Sequence, residues 1–274
     1  MNPFVFACIT PHGSEIIEAL SGHNPELMAK TRQSMEILGR DMEAAKPDAI
    51  VVLTPHGVRI SEQFAITNCE RMVGELEEED GSRVEMERFV DRELAWSIYE
   101  EAALAGVRIG SINFAVSEGP YSCLPLDWGA LVPLYFMPDV PVVVITTSYE
   151  LEYEDHVRLG KHLAKAVQAS GKRVGLIASC DWSHAHAADG PYGYHPAAAK
   201  LDAQVVELIR ENKLEDMMAL DEGFVEDAKP DGIWQALVLA GAIPQAARDV
   251  EFLSYEVPTY FGLMCAAYYN RSSK

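Results

Sequence analysis

The sequence is poor in features that mark several large protein classes. Its five cysteines, Cys8, Cys69, Cys123, Cys180 and Cys265, are odd in number, scattered, and form no Cys-x-x-Cys. That argues against a disulfide framework or a structural zinc knuckle and for reduced thiols in a cytoplasmic protein. Bases are scarce, 22 Lys and Arg against 42 Asp and Glu, for a formal net charge of -20. A surface so negative repels phosphate, which excludes nucleic acid and anionic lipid membranes as main partners. No apolar run approaches the length of a membrane span, and no basic segment precedes the first apolar run. No low-complexity or Pro/Ser-rich linker divides the 274 residues, so a single domain over 1–274 is expected. Hydrophobic residues make up 49% of the chain, enough to bury a full core.

A short phrase occurs twice. Ile9-Thr10-Pro11-His12-Gly13 and Leu53-Thr54-Pro55-His56-Gly57 each close an apolar run rich in β-branched or aromatic residues. Such runs read as buried strands, so two histidines sit just past two strand ends. In an open α/β sheet that edge is where ligands bind. A lone Pro-His-Gly is most simply a strand cap. A matched pair in equivalent settings favours a metal site.

Strand and helix patterns alternate along the chain. Helices are expected over 24–45, 82–105, 150–169, 196–212 and 231–240. Strands are expected around Phe64-Ala65-Ile66 and over 107–116, 140–146, 173–179, 250–255 and 261–268. The acidic run Glu75-Leu76-Glu77-Glu78-Glu79-Asp80-Gly81 reads as a solvated loop. This alternation implies an α/β fold, a mostly parallel central sheet flanked by helices, with the site at the carboxyl ends of strands.

A second cluster follows the strand that ends at Ala178. It reads Ser179-Cys180-Asp181-Trp182-Ser183-His184-Ala185-His186 and runs on through Asp189-Gly190-Pro191-Tyr192-Gly193-Tyr194-His195-Pro196. His184 is best placed as a ligand or general base. His186 would project alike only in an extended segment. His195 precedes a helix and equally suits a structural role there. His23 reads as part of a helix entry, and His156 and His162 as surface residues. Glu226, just before an expected helix, could ligate a metal or simply favour the helix N-terminus, a role for which Asp227 and Asp231 compete.

Thr-Pro-His-Gly, a second Pro-His-Gly after the next strand, and Ser-x-Asp-x-x-His later, in this order, resemble the class III extradiol ring-cleavage dioxygenases. These include the catalytic subunit of protocatechuate 4,5-dioxygenase, and their superfamily contains the Memo-like proteins. The resemblance spans His12 to Pro230. It implies a non-haem Fe(II), with Zn(II) or Mn(II) as alternatives, held by His12, His56 and Glu226. Memo-like relatives carry cysteine at the third position, so an acid favours the dioxygenase branch. His184 matches the catalytic histidine. The family's Asp-His-Gly before Val-Pro-Leu is here Asp127-Trp128-Gly129, and an indole can only donate a hydrogen bond. Either His186 or His195 then supplies the missing proton transfer, or the chemistry is altered. The implied substrates are a small aromatic diol and O2. Trp128, Tyr192 and Tyr194 suit the aromatic walls of a pocket for a planar ring, and the two tyrosines equally suit ordinary loop packing. A homo-oligomer is expected, with or without a small partner subunit. Two rival readings are another divalent-metal enzyme on this scaffold and a Memo-like metal-binding regulatory protein without ring cleavage.

Overall fold

The computed structural model describes residues 2–22 and 24–271. Its strands are β1 (Phe4–Thr10), β2 (Ala49–Thr54), β3 (Phe64–Thr67), β4 (Arg71–Glu77), β5 (Arg83–Phe89), β6 (Ile109–Ile112), β7 (Cys123–Pro125), β8 (Val142–Thr146), β9 (Val174–Ser179), β10 (Arg248–Glu256) and β11 (Leu263–Asn270). Its α-helices are α1 (Ala29–Ala45), α2 (Arg92–Leu104), α3 (Trp128–Tyr135), α4 (Tyr153–Ser170), α5 (Ala197–Arg210), α6 (Glu222–Ala228) and α7 (Ile233–Ala242).

β2, β8 and β9 are buried at every residue and carry no charge, as strands covered on both faces must be. They lie with β1 at the centre of an eight-stranded sheet of order β10-β11-β1-β9-β2-β8-β3-β6. β1, β9, β2 and β8 run parallel, while β11 and β3 join antiparallel on either side. Helices flank the sheet, α1 against β1, β10 and β11, and α7 against β9. A second sheet of order β5-β4-β7 stands apart. The functional consequence is the central order β1-β9-β2. Thr10 pairs with Ser179 and Leu53 with Ala178, so the segments after all three strands leave the sheet side by side.

Several sequence expectations are corrected. Residues 82–105 are not one helix: β5 comes first, and Asp91 caps α2 by accepting from the Leu94 N–H. From Arg83 to Glu87 the side chains alternate polar and apolar, and that period-two segment pairs with β4. The acidic run is partly strand, since β4 extends to Glu77 before the chain turns. α3 and α6 were not expected. His156 is no surface residue. It is fully buried, and desolvation pulls its pKa down to about 4 despite an Nδ1 contact to the Glu152 carbonyl. His162 is half-buried against Glu101. His23 lies outside the described residues.

Candidate metal centre

His12 follows β1 and His56 follows β2, and their rings converge over the intervening end of β9. The two Nε2 atoms are 3.0 Å apart. Asp231 Oδ2, from the turn that opens α7, lies 3.3 Å from each. His12, His56 and Asp231 form the one group among the described residues in which three such side chains could share an ion. The separations suit one: two ligands about 2.1 Å from a common centre at a right angle stand about 3.0 Å apart.

The surrounding hydrogen bonds fix these side chains. His12 Nδ1 meets Ser179 Oγ at 2.9 Å, and its backbone N–H donates to Asp181 Oδ1 at 2.9 Å. Asp231 Oδ1 accepts from the Asp181 backbone N–H at 2.9 Å. The His56 backbone N–H donates to Thr54 Oγ1, which in turn donates to Asp127 Oδ1 at 2.6 Å. Asp127 also caps α3 through the Ala130 N–H. The Trp128 indole stacks on the His56 ring, with centroids 4.2 Å apart.

The electrostatics favour a cation. Burial alone would lower the His12 pKa, but Asp181 and Asp231 outweigh it and raise the group to about 9. Burial would raise Asp231, but His12 and His56 hold it well below the usual carboxylate range. Burial does raise Asp181, with His12 opposing.

His184 stands beside this group. Its Nδ1 is 2.7 Å from the Lys229 carbonyl, which can only accept, so Nδ1 carries the proton and Nε2 keeps its lone pair. Lys229 reaches this place through a left-handed conformation, φ 60°, at the end of α6. The His184 ring lies parallel to Phe261 at 5.5 Å and edge-on to Tyr192 at 5.4 Å. Two cavities meet here, of about 750 Å³ and about 430 Å³, and both are lined by His56, His184 and Tyr192. Asp231, Tyr149 and Trp234 complete the first around the centre; His12, Asp181, Trp128, Tyr260 and Phe261 line the second.

Residues 6–265 match the family described as the catalytic LigB subunit of aromatic ring-opening dioxygenase. The chain belongs to the LigB family. It is 29% identical to protein CA_C1420 of Clostridium acetobutylicum over 254 residues, 90% of this chain and 54% of that protein. It is 31% identical over 121 residues to the 2-aminophenol 1,6-dioxygenase beta subunit of a Pseudomonas species, 37% of this chain and 40% of that one. The chain thus spans about half or less of the length of these relatives. In fold it is similar to the crystal structure of the uncharacterized protein JW3007 from Escherichia coli K12, with TM-score 0.59, 18% identity, and coverage of 97% of this chain and 99% of that one.

Within this LigB-family fold, the carboxylate that joins the histidines is Asp231 rather than Glu226. Glu226 lies within α6, its side chain is 76% exposed, and it pairs with Lys229. The left-handed turn at Lys229 and the following Pro230 swing the chain inward and deliver Asp231 instead. His186 and His195 line neither cavity. His186 Nε2 is bound to the buried Asp202 at 2.9 Å. His195 Nδ1 accepts from the Ala197 N–H at the start of α5. Trp128 and Tyr192 are cavity walls, whereas Tyr194 is 63% exposed and bridges to His186.

On sequence grounds Asp231 had only a helix N-terminus role, yet a signal for its place beside the histidines was present. Pro-X-Gly occurs four times in the chain, and its middle residues are His12, His56, Tyr192 and Asp231. All four line the joined cavities. The proline stiffens the approach, and at Gly13, Gly57 and Gly232 the glycine allows close packing behind it, while Gly193 adopts φ 70°. At Gly232, for example, a Cβ would come within 2.5 Å of the Cys180 Cβ.

Proposed function

We propose that the chain is a divalent-metal dioxygenase that opens the ring of a catechol, or of the analogous aminophenol, with O2. His12, His56 and Asp231 hold Fe(II), and residues 1–274 form one catalytic domain. The observation that carries this reading is the facing pair of Nε2 atoms 3.0 Å apart with Asp231 Oδ2 at 3.3 Å from both. Two imidazoles and one carboxylate on one side of an ion form the set that suits a non-haem Fe(II) oxygenase. When bound there, such an ion would supply the redox chemistry that lets O2 react with an aromatic diol.

The protein's own residues supply the rest. His184, with Nδ1–H committed to Lys229, takes the phenolic proton on Nε2 and later returns it. Phe261 behind it holds the imidazole plane. Trp128, Tyr192 and Tyr260 bracket a planar ring and keep water from it. Both oxygen atoms enter the product, a semialdehyde acid. Kinship with a dioxygenase beta subunit supports assembly with a partner subunit or with further copies of the chain. No helix among the described residues is long and apolar enough to cross a membrane, which accords with action in the cytoplasm.

The test is anaerobic loading of the protein with Fe(II), followed by O2 uptake and product absorbance across a panel of catechols and aminophenols. Turnover is expected, and His184→Gln should retain the metal while losing ~10²–10⁴-fold in rate. Binding of the panel with no O2 uptake by wild type would overturn the reading. Trp128 leaves one proton-transfer group fewer than the family pattern, which favours a single alternative, a Zn(II) or Mn(II) enzyme on the same site. Metal analysis of freshly isolated protein distinguishes it.

A further inference from the structure

We propose that Ser179 is the positioning residue of the metal centre, holding His12 in the one tautomer that can bind an ion through Nε2. This rests on the reading of His12, His56 and Asp231 as ligands.

The argument follows one proton. Ser179 Oγ lies 2.5 Å from the Gly129 carbonyl oxygen and 2.9 Å from His12 Nδ1. Two oxygens so close need a hydrogen between them, and a carbonyl has none to give, so the serine proton points at Gly129. Ser179 Oγ can then only accept from His12, and Nδ1 must carry the ring proton. In neutral imidazole that leaves Nε2 with its lone pair, facing His56 Nε2 and Asp231. The opposite tautomer would set a bare Nδ1 against an oxygen whose only proton is engaged.

The anchor is rigid on every side. Ser179 is fully buried and closes β9, paired in register with Thr10 of β1. The Gln235 side chain of α7 donates to its carbonyl at 3.0 Å. Gly129 belongs to the first turn of α3, and a Cβ there would meet Thr54 Oγ1 at 2.5 Å, so the glycine lets α3 close onto the end of β2. The three elements are thereby locked by one hydroxyl. The motif Ser-x-Asp-x-x-His gains a division of labour. Ser179 orients the His12 ring, Asp181 holds the His12 backbone and the Asp231 carboxylate, and His184 faces the substrate.

The experiment measures divalent-metal affinity with Co(II), by competition with a chromophoric chelator, together with the visible spectrum of the Co(II)-loaded protein. Ser179→Ala should still fold, with its melting temperature lowered by a few degrees for the lost buried hydrogen bonds, but bind Co(II) about 10–100-fold more weakly, with an altered spectrum. Ser179→Thr, which keeps the hydroxyl, should restore most of the affinity and the wild-type spectrum. Ser183→Ala, at another buried serine on the same segment whose hydroxyl touches no ligand, should bind as wild type. Wild-type affinity in Ser179→Ala, or an equal loss in Ser183→Ala, refutes the role of Ser179 while leaving the ligand reading intact. The ligand reading itself fails, and this inference with it, if His12→Ala binds Co(II) as tightly as wild type.

Discussion

Metal affinity should depend steeply on pH, and the structure sets the size of the effect. His12 is raised to about 9 because Asp181 and Asp231 outweigh its burial. Coordination through Nε2 requires that proton to leave. At pH 7, roughly two units below, the proton competes by about a hundredfold, worth about 3 kcal/mol. Asp231 is held below the usual carboxylate range and stays ionised, so it adds no slope of its own. The sign follows: the proton favours the free protein, so the apparent dissociation constant should fall close to tenfold from pH 7 to 8 and level off above about 9. Replacing Asp231 by Asn removes both a metal donor and one of the three carboxylate charges, Asp181, Asp231 and Asp127, that raise His12. Affinity should drop throughout, and its dependence on pH between 7 and 9 should flatten. Chelator competition in buffers that do not bind metal gives both curves. A wild-type affinity constant between pH 7 and 9 would refute the reasoning, because it would mean that no proton is displaced.

His156 should make the fold acid-sensitive. Its pKa is lowered to about 4, so the neutral ring contributes full stability above the unfolded value of 6.5, and that contribution drains away as pH falls from 6.5 to about 4. The shift amounts to about 3 kcal/mol. His156→Gln should show a shallower decline in urea stability across that window, and an unchanged decline would disprove the assignment. Trp128→Phe should keep the metal and leave the best turnover rate within about tenfold while shifting preference among ring substituents, since the indole only stacks on His56 at 4.2 Å. A complete loss of O2 uptake would mean that the indole N–H has a part in the reaction.

The inner strands, both Pro-His-Gly turns and the position of His184 were legible because each depends on local signals: an uncharged apolar run, a stiffening proline, an immediate strand end. β5 and the start of α2 were misread as one helix because a period of two and a period of 3.6 overlap near Phe89. The third acidic donor was harder. Glu226 had the expected spacing, but distance along the chain is blind to a left-handed residue at Lys229, which redirects everything after it. The local tripeptide Pro230-Asp231-Gly232 would have served better than spacing, since it repeats the setting of His12 and His56. Proximity to His184 in sequence says nothing of Asp202, sixteen residues on, which engages His186, while His195 takes the place at the start of α5 that the sequence also allowed.

Asp127 and Gly129 both tie α3 to the ends of central strands, one through Thr54 and the other through Ser179, while the residue between them faces the cavity. The bracket separates two kinds of inheritance. Its outer positions are bound to the support of the histidines and tolerate little change, but the middle one can be exchanged without disturbing either tie. A proton-transferring side chain can therefore give way to a flat stacking surface by a change confined to position 128, with both ties that brace the histidines left in place.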